Sequence, residues 1–455
     1  MPGNLTFEAL KTAAKNGTID TVVAVMVDMQ GRLMGKRFHV QNFINVAFDE
    51  THCCNYLLAT DLEMATPDGY ASTGWTSGYG DYVMKPDMNT LRVTPWAIGA
   101  AMILCDVQDH NTHQDVPHSP RAILKRQIER LKALGYTCSA ATELEFFVYR
   151  ETYEEARDKN YQKLTPISAY NEDYHIFQTA KEEGFMRPLR NQLFDAGVPV
   201  ECTKGEAEAG QAELNIRYSD ALDMADTHSV AKHATKEIAW NSGCSVSFVA
   251  KPHEDTVGSS SHIHQSLRAH DGSAVFFDAT QPHGMSSVMQ HYLAGLLAYA
   301  NDTTVFLAPY INSYKRFCAG TFAPTRIVWS VDNRTAGYRI VAPDSENVRV
   351  ECRVGGSDIN PYLALAAQLA AGIAGIEQAL SLDDALEGDA YAAKDAPQIP
   401  GNLRDAAKAL NDSEMLRKAM GDDVVDHYVR AANWEQEEFD RIVTDYEIRR
   451  GFERS

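Results

Sequence analysis

The residues of this sequence best suited to chemistry lie in a few short stretches where acids, histidines and arginines recur at strand or turn spacing. In Glu143-Leu144-Glu145-Phe146-Phe147-Val148, apolar and β-branched residues specify a strand. Alternation then turns Glu143 and Glu145 to one face. Adjacent carboxylates repel, and burying them is costly unless a cation compensates. Hard divalent cations such as magnesium or manganese take oxygen ligands, so the pair suits a metal shelf. A solvated acidic face on an edge strand would account for this motif alone equally well.

Further motifs need the same partner. Gly205-Glu206-Ala207-Glu208-Ala209-Gly210-Gln211-Ala212-Glu213 crowds acids between glycines that allow close backbone approach, although an acidic surface turn reads the same way. Gly258-Ser259-Ser260-Ser261 offers backbone donors to an anion, and His262-Ile263-His264 puts two imidazoles on one strand face. Asn312-Ser313-Tyr314-Lys315-Arg316, Asp332-Asn333-Arg334 and Arg339 add cations. In Arg349-Val350-Glu351-Cys352-Arg353, alternation puts the acid between two arginines. That order suits a metal-binding acid with cations for carboxylate or phosphate, or else a salt-bridge ladder. Together the motifs describe a two-metal, ATP-using enzyme acting on an anionic substrate, in which metals and arginines offset phosphoryl charge. There is no Walker-type loop and no kinase signature set.

These side chains need a scaffold, and 455 residues are enough for more than one domain. Valine-rich 21–28, the Gln30-Gly31 turn and 33–40 form a hairpin, and 82–106 holds two apolar runs broken by Pro86 and Pro95. We therefore expect a helical segment at 1–19, a mostly β domain over 20–110 and a larger α+β domain over 111–455. Ser119-Pro120 should open a helix with an N-cap hydroxyl, presenting Leu124, Ile128, Leu131 and Leu134 and stopping at Gly135. Helices are also expected over 221–241, 285–299 and 361–380, with a charged terminal stretch from Asp423. The net charge of −20 argues against nucleic-acid or anionic-membrane partners. No secretory leader or bilayer-spanning run is evident. The eight cysteines follow no metal or disulfide spacing, so reduced, buried thiols in a cytoplasmic protein are expected.

From about residue 20 to the end, these motifs resemble the glutamine synthetase superfamily in order and spacing. The match runs through the Glu-x-Glu-Phe-Phe strand, the Glu206 to Glu213 loop, His262-x-His264-x-Ser266, Asn-Ser-Tyr-Lys-Arg and Asn333-Arg334. It closes with Arg349-x-Glu351-x-Arg353 and Asn360-Pro361-Tyr362. The resemblance implies a small β-grasp domain followed by a catalytic domain with a curved antiparallel sheet and helices. It also implies homo-oligomers of stacked rings, such as a dodecamer, with sites between subunits. It assigns one magnesium or manganese ion to Glu145, Glu206 and Glu213 and another to Glu143, His262 and Glu351. Glutamate would lie on the Gly258 backbone, with Arg316 and Arg353 on its carboxylates. ATP would meet Glu201, His264, Ser266, Arg334 and Arg339. The implied ligase passes through γ-glutamyl phosphate, Arg334 offsetting charge.

One position departs from the ammonia-using pattern. The family's flap glutamate, six residues past the arginine of Asn-Ser-Tyr-Lys-Arg, is Phe322 here. Phenylalanine cannot accept a proton from ammonium, but it can pack against the apolar part of a larger amine. The aspartate loop of the ammonium pocket has only Asp68-Gly69 as a candidate, and Tyr391 does not match the segment that carries adenylylation. A γ-glutamyl amide made from an organic amine, such as an alkylamine, ethanolamine, a polyamine or an aromatic amine, is the favoured product. True glutamine synthesis and a non-catalytic scaffold are the alternatives.

Overall fold

The computed structural model describes residues 3–455. One sheet contains β1 (Thr21–Val27), β2 (Leu33–His39), β3 (Thr51–Cys54), β4 (Asp81–Pro86), β5 (Arg92–Val93) and β6 (Ala100–Asp109). Their order is β2-β1-β6-β4-β3, with β5 paired to β6. β1 runs antiparallel to β2 and parallel to β6. The expected hairpin forms because Asp28 accepts hydrogen bonds from the Gln30 and Arg32 amides, at 3.0 and 2.8 Å. Gly31 takes φ +82°, a conformation that suits glycine.

β1 is buried on both faces. Val22, Ala24 and Met26 enter the core of the small sheet, whereas Val23, Val25 and Val27 join the larger core. Alternation thus makes one strand the wall between two apolar interiors.

The second sheet contains β7 (Tyr136–Tyr149), β8 (Val200–Gly205), β9 (Gln211–Ile216), β10 (Ser219–Asp220) and β11 (Ser245–Ser247). It continues with β12 (Ile263–Ala269), β13 (Trp329–Val331), β14 (Tyr338–Val341) and β15 (Arg349–Cys352). The order is β13-β14-β15-β12-β7-β9-β8, with β10 and β11 also on β7. All these pairings are antiparallel except β13 with β14. Long helices Ala221–Asn241, Ser287–Ala298 and Pro361–Glu377 contribute buried residues to the same core, giving the α+β class.

Several boundaries depart from the expectations. The helix at Pro120–Ala133 does begin on proline and is followed by Gly135 at φ +90°, but the Ser119 hydroxyl makes no capping bond. The 287–298 helix starts after Met285 because Ser286 Oγ caps the Met289 amide at 3.2 Å. The 361–377 helix ends short of Leu380, and the charged terminal stretch forms helices Asp422–Arg441 and Asp445–Gly451. All eight cysteines are free, but Cys202 and Cys318 are exposed, correcting the expectation of buried thiols throughout. Among the described residues no helix is long and apolar enough to cross a membrane.

Two polar clasps join the segment of the first sheet to helices of the larger core. Asn360 Nδ2 donates to the carbonyls of Asp28 and Met29 at 3.0 and 3.1 Å. Arg121 binds Asp226 through two bonds of 3.0 Å, Asp106 at 2.5 Å and Asp87 at 2.7 Å, and Tyr362 donates to Asp226 at 2.6 Å.

Candidate metal and nucleotide site

The site is built outward from β7. Its neighbour β9 places Glu213 opposite Glu145, and Glu206 arrives from the turn between β8 and β9. Gly210 in that turn has φ +73°, and a Cβ there would lie 2.9 Å from the Val148 carbonyl oxygen. Only a residue without a side chain lets the loop close on the strand. One ligand atom from each of Glu145, Glu206 and Glu213 lies within 4.8 Å of the others.

On the other side of β7, β12 places His264 opposite Glu351 of β15, and Glu351 lies opposite Arg339 of β14. Glu143, His264 and Glu351 form a second set of donors within 4.8 Å. His262 Nδ1 lies 2.6 Å from Glu143 Oε2 and 3.5 Å from Glu351 Oε1, while His264 Nε2 lies 2.9 Å from Glu143 Oε1. Both imidazoles therefore converge on one carboxylate, as the shared strand face predicts. His264, assigned to ATP by the resemblance, completes the compact donor set. His262 touches both of its carboxylates and keeps a buried Nε2 without a partner.

Charge crowding runs through both clusters. Burial, reinforced by Glu206, pushes Glu145 up to about 8. Burial and the nearby Glu143 push Glu213 up to about 10. Burial would also raise Glu143, but His262 and His264 hold it well below the usual carboxylate range. Ser260 donates its amide to Glu145 at 2.6 Å, so the serine-rich segment braces a carboxylate of its own chain. Gln211 Nε2 bridges Glu145, the Gly258 carbonyl and Ser259, at 3.3, 3.0 and 3.3 Å.

The arginines divide differently from simple alternation. Glu351 is gripped by Arg353 at 2.5 Å and by Arg339 at 3.0 Å. Arg349, expected beside Glu351, instead places its Nε 3.4 Å from His264 Nδ1. Arg316 is buried, donating to Ser260 Oγ at 3.3 Å and the Arg353 carbonyl at 3.2 Å. Its stem packs on Gly258, where a Cβ would come within 2.3 Å of Arg316 Cγ. Phe322 is 56% exposed at φ +58°, and its carbonyl lies 3.5 Å from Arg353 Nη2. Arg334 is exposed on the β13–β14 turn.

A cavity of about 500 Å³ opens beside Glu143 and is lined by Glu201, His264, Ser266, Arg268 and Arg349 among others. Three residues assigned to ATP line it, while Arg334 and Arg339 do not. Arg268 was not singled out in the sequence, nor was Lys204, which contacts Glu206 and lies 3.7 Å from Glu213. The register Lys204 to Glu213 could have pointed to that lysine, but strand pairing is not written in local sequence.

Comparison with known proteins shows the family of the chain. The family model described as "Glutamine synthetase, catalytic domain" matches residues 117–451. The chain belongs to the glutamine synthetase family. It is 46% identical over 448 residues to a γ-glutamylethanolamide synthetase, GlnA4, of Streptomyces coelicolor, covering 98% of this chain and 96% of the relative. It is 35% identical over 437 residues to a glutamate–isopropylamine ligase of a Pseudomonas species, covering 95% of each. A solved GmaS/ADP complex aligns with TM-score 0.85 at 25% identity, over 97% of this chain and 99% of that one.

Proposed function

We propose that this enzyme joins the side-chain carboxylate of glutamate to an organic amine, consuming ATP and passing through γ-glutamyl phosphate. The observation that carries the reading is the pair of donor triads on either side of β7, Glu145-Glu206-Glu213 and Glu143-His264-Glu351. The donor chemistry fits hard divalent ions, and the raised pKa of Glu145 and Glu213 fits carboxylates awaiting a cation. Glu145, Glu206 and Glu213 would hold one magnesium or manganese ion; Glu143, His262 and Glu351 would hold another, with His264 beside them. Bound ions would neutralise charge on ATP and on the transferred phosphoryl.

The chain's own groups do the rest. Arg316 and Arg353 orient glutamate beside Gly258, and each retains a buried Nε without a partner. The glutamate side-chain carboxylate attacks the terminal phosphorus of ATP, ADP leaves, and Arg334 offsets the developing charge. A neutral amine then attacks the γ-carbonyl carbon and phosphate leaves with the bonding pair, the surplus amine proton passing to a nearby acceptor. Water must be kept from the acyl phosphate, since its hydrolysis would uncouple ATP use. Glu201, His264 and Ser266 line the cavity in which the nucleotide would lie. We extend the reading to a homo-oligomer of stacked rings.

The aromatic side chain at 322 favours organic amines over ammonium, because it supplies apolar contact and no proton acceptor. The test is phosphate release from ATP with glutamate and magnesium across ammonium, ethanolamine, isopropylamine and polyamines. Strong turnover with an organic amine and little with ammonium is expected. Preference for ammonium would make the product glutamine, and no amine-dependent turnover would overturn the ligase reading.

A further inference from the structure

We infer that Lys204 is a tethered counter-ion, which neutralises the Glu145-Glu206-Glu213 cluster in the metal-free enzyme and is expelled from it when a divalent ion binds. The inference rests on the metal reading of those acids. Its basis is position. Lys204 stands near the end of β8, opposite Glu213 in the β8–β9 register. Its Nζ contacts Glu206 Oε1 and lies 3.7 Å from Glu213 Oε2. It also lies 3.5 Å from Asp173 Oδ1 and 3.5 Å from the Gly205 carbonyl, with the Tyr174 ring centroid at 4.8 Å. The side chain is only 19% exposed, so protein groups replace most of the water around the ammonium.

An ammonium and a divalent ion cannot share the same carboxylates at these separations without strong repulsion. The lysine stem is flexible. Asp173 and Tyr174 already lie beside the ammonium, at 3.5 Å and 4.8 Å, and offer it an anion and a ring face once it gives up Glu206 and Glu213. Metal binding in this cluster is therefore an exchange of one cation for another. The lysine sets the metal concentration at which the exchange occurs, and its charge keeps three crowded acids tolerable while metal is scarce.

The exchange is measured by titrating Mn2+ into wild type and Lys204→Met and following free Mn2+ by electron paramagnetic resonance. Removing the competing charge should tighten binding by about tenfold or more. In metal-free buffer Lys204→Met should melt below wild type, and saturating Mn2+ should close that gap. Mass spectrometry of wild-type protein treated briefly with acetic anhydride should show Lys204 labelling rising several-fold on Mn2+ addition. Unchanged or weaker Mn2+ binding by a folded Lys204→Met protein would overturn the exchange while leaving the metal reading intact. Absence of Mn2+ binding by both proteins would overturn the metal reading itself. If Lys204→Met does not fold, labelling of wild-type Lys204 that ignores Mn2+ overturns the exchange.

Discussion

Glu145 has three acidic neighbours acting on it or sharing its donor set, Glu143, Glu206 and Glu213, and among the described residues no side-chain cation is bonded to it. Its replacement by alanine should lower metal-dependent phosphate release by about 10²- to 10³-fold, read as phosphate formed at saturating glutamate and amine. Wild-type turnover in that variant would remove Glu145 from the metal reading. Phe322→Glu should raise the ratio of ammonium to organic-amine turnover several-fold, and a flat ratio across an amine panel would shift specificity away from this position. Part of this site is legible from residue types alone, because period-2 alternation fixes which of Glu143, Leu144 and Glu145 share a face. The arginine partner of Glu351 is not legible that way. Arg339 takes the place expected of Arg349 because β14 pairs in register with β15, a long-range choice that no local pattern encodes.

At the scale of elements, the Asp422–Arg441 helix docks back on distant parts of the chain. His427 stacks on His118 with ring centroids 4.2 Å apart and lies 2.7 Å from the Leu58 carbonyl, while Tyr428 donates to the His118 carbonyl at 2.9 Å. Trp434 donates to Asp61 at 2.9 Å, and Arg430 to the Asp68 carbonyl at 2.7 Å. Burial, assisted by Arg126, holds His118 down at about 4, and burial also lowers His427. A histidine kept neutral in the fold binds fewer protons than the unfolded chain, so stability holds above about pH 6.5 and falls as pH drops towards 4. The loss from His118 should approach about 3 kcal/mol. His118→Gln should flatten the acid limb of a chemical-denaturation series, and an unchanged limb would assign acid sensitivity to other groups. Periodicity finds such helices well, since an apolar stripe repeats over many residues. Their ends are less legible: Ser119 has a capping residue's type but makes no cap, whereas Ser286 and Asn360 do.

For the whole molecule, Arg121 is the principal ionic junction. Its guanidinium faces Asp87 and Asp106 from the small sheet's segment and Asp226 from the long 221–241 helix. Removing one member of a buried ionic cluster leaves the others uncompensated. Arg121→Met should cost about 3–5 kcal/mol, measured by denaturant unfolding, and a loss under about 1 kcal/mol would show that solvent or Lys125 replaces it. The α+β class and the sheet-first order of the chain can be read from composition and pattern. The junction cannot, because Arg121 and Asp226 are separated by 105 positions and neither lies in a motif.

The clasp from Asn360 to the Asp28 and Met29 carbonyls spans 332 and 331 positions. During synthesis the hairpin emerges early, yet the side chain that closes its turn is added only after more than three hundred further residues. Until then those two carbonyls must stay hydrated, and one face of β1, with Val23, Val25 and Val27, awaits the larger core. The ribosome therefore carries a half-finished apolar wall for most of translation, and at about 5–20 residues per second that exposure lasts on the order of tens of seconds. Chaperone dependence of this protein should consequently centre on its first hundred residues, the part that folds first locally and is completed last.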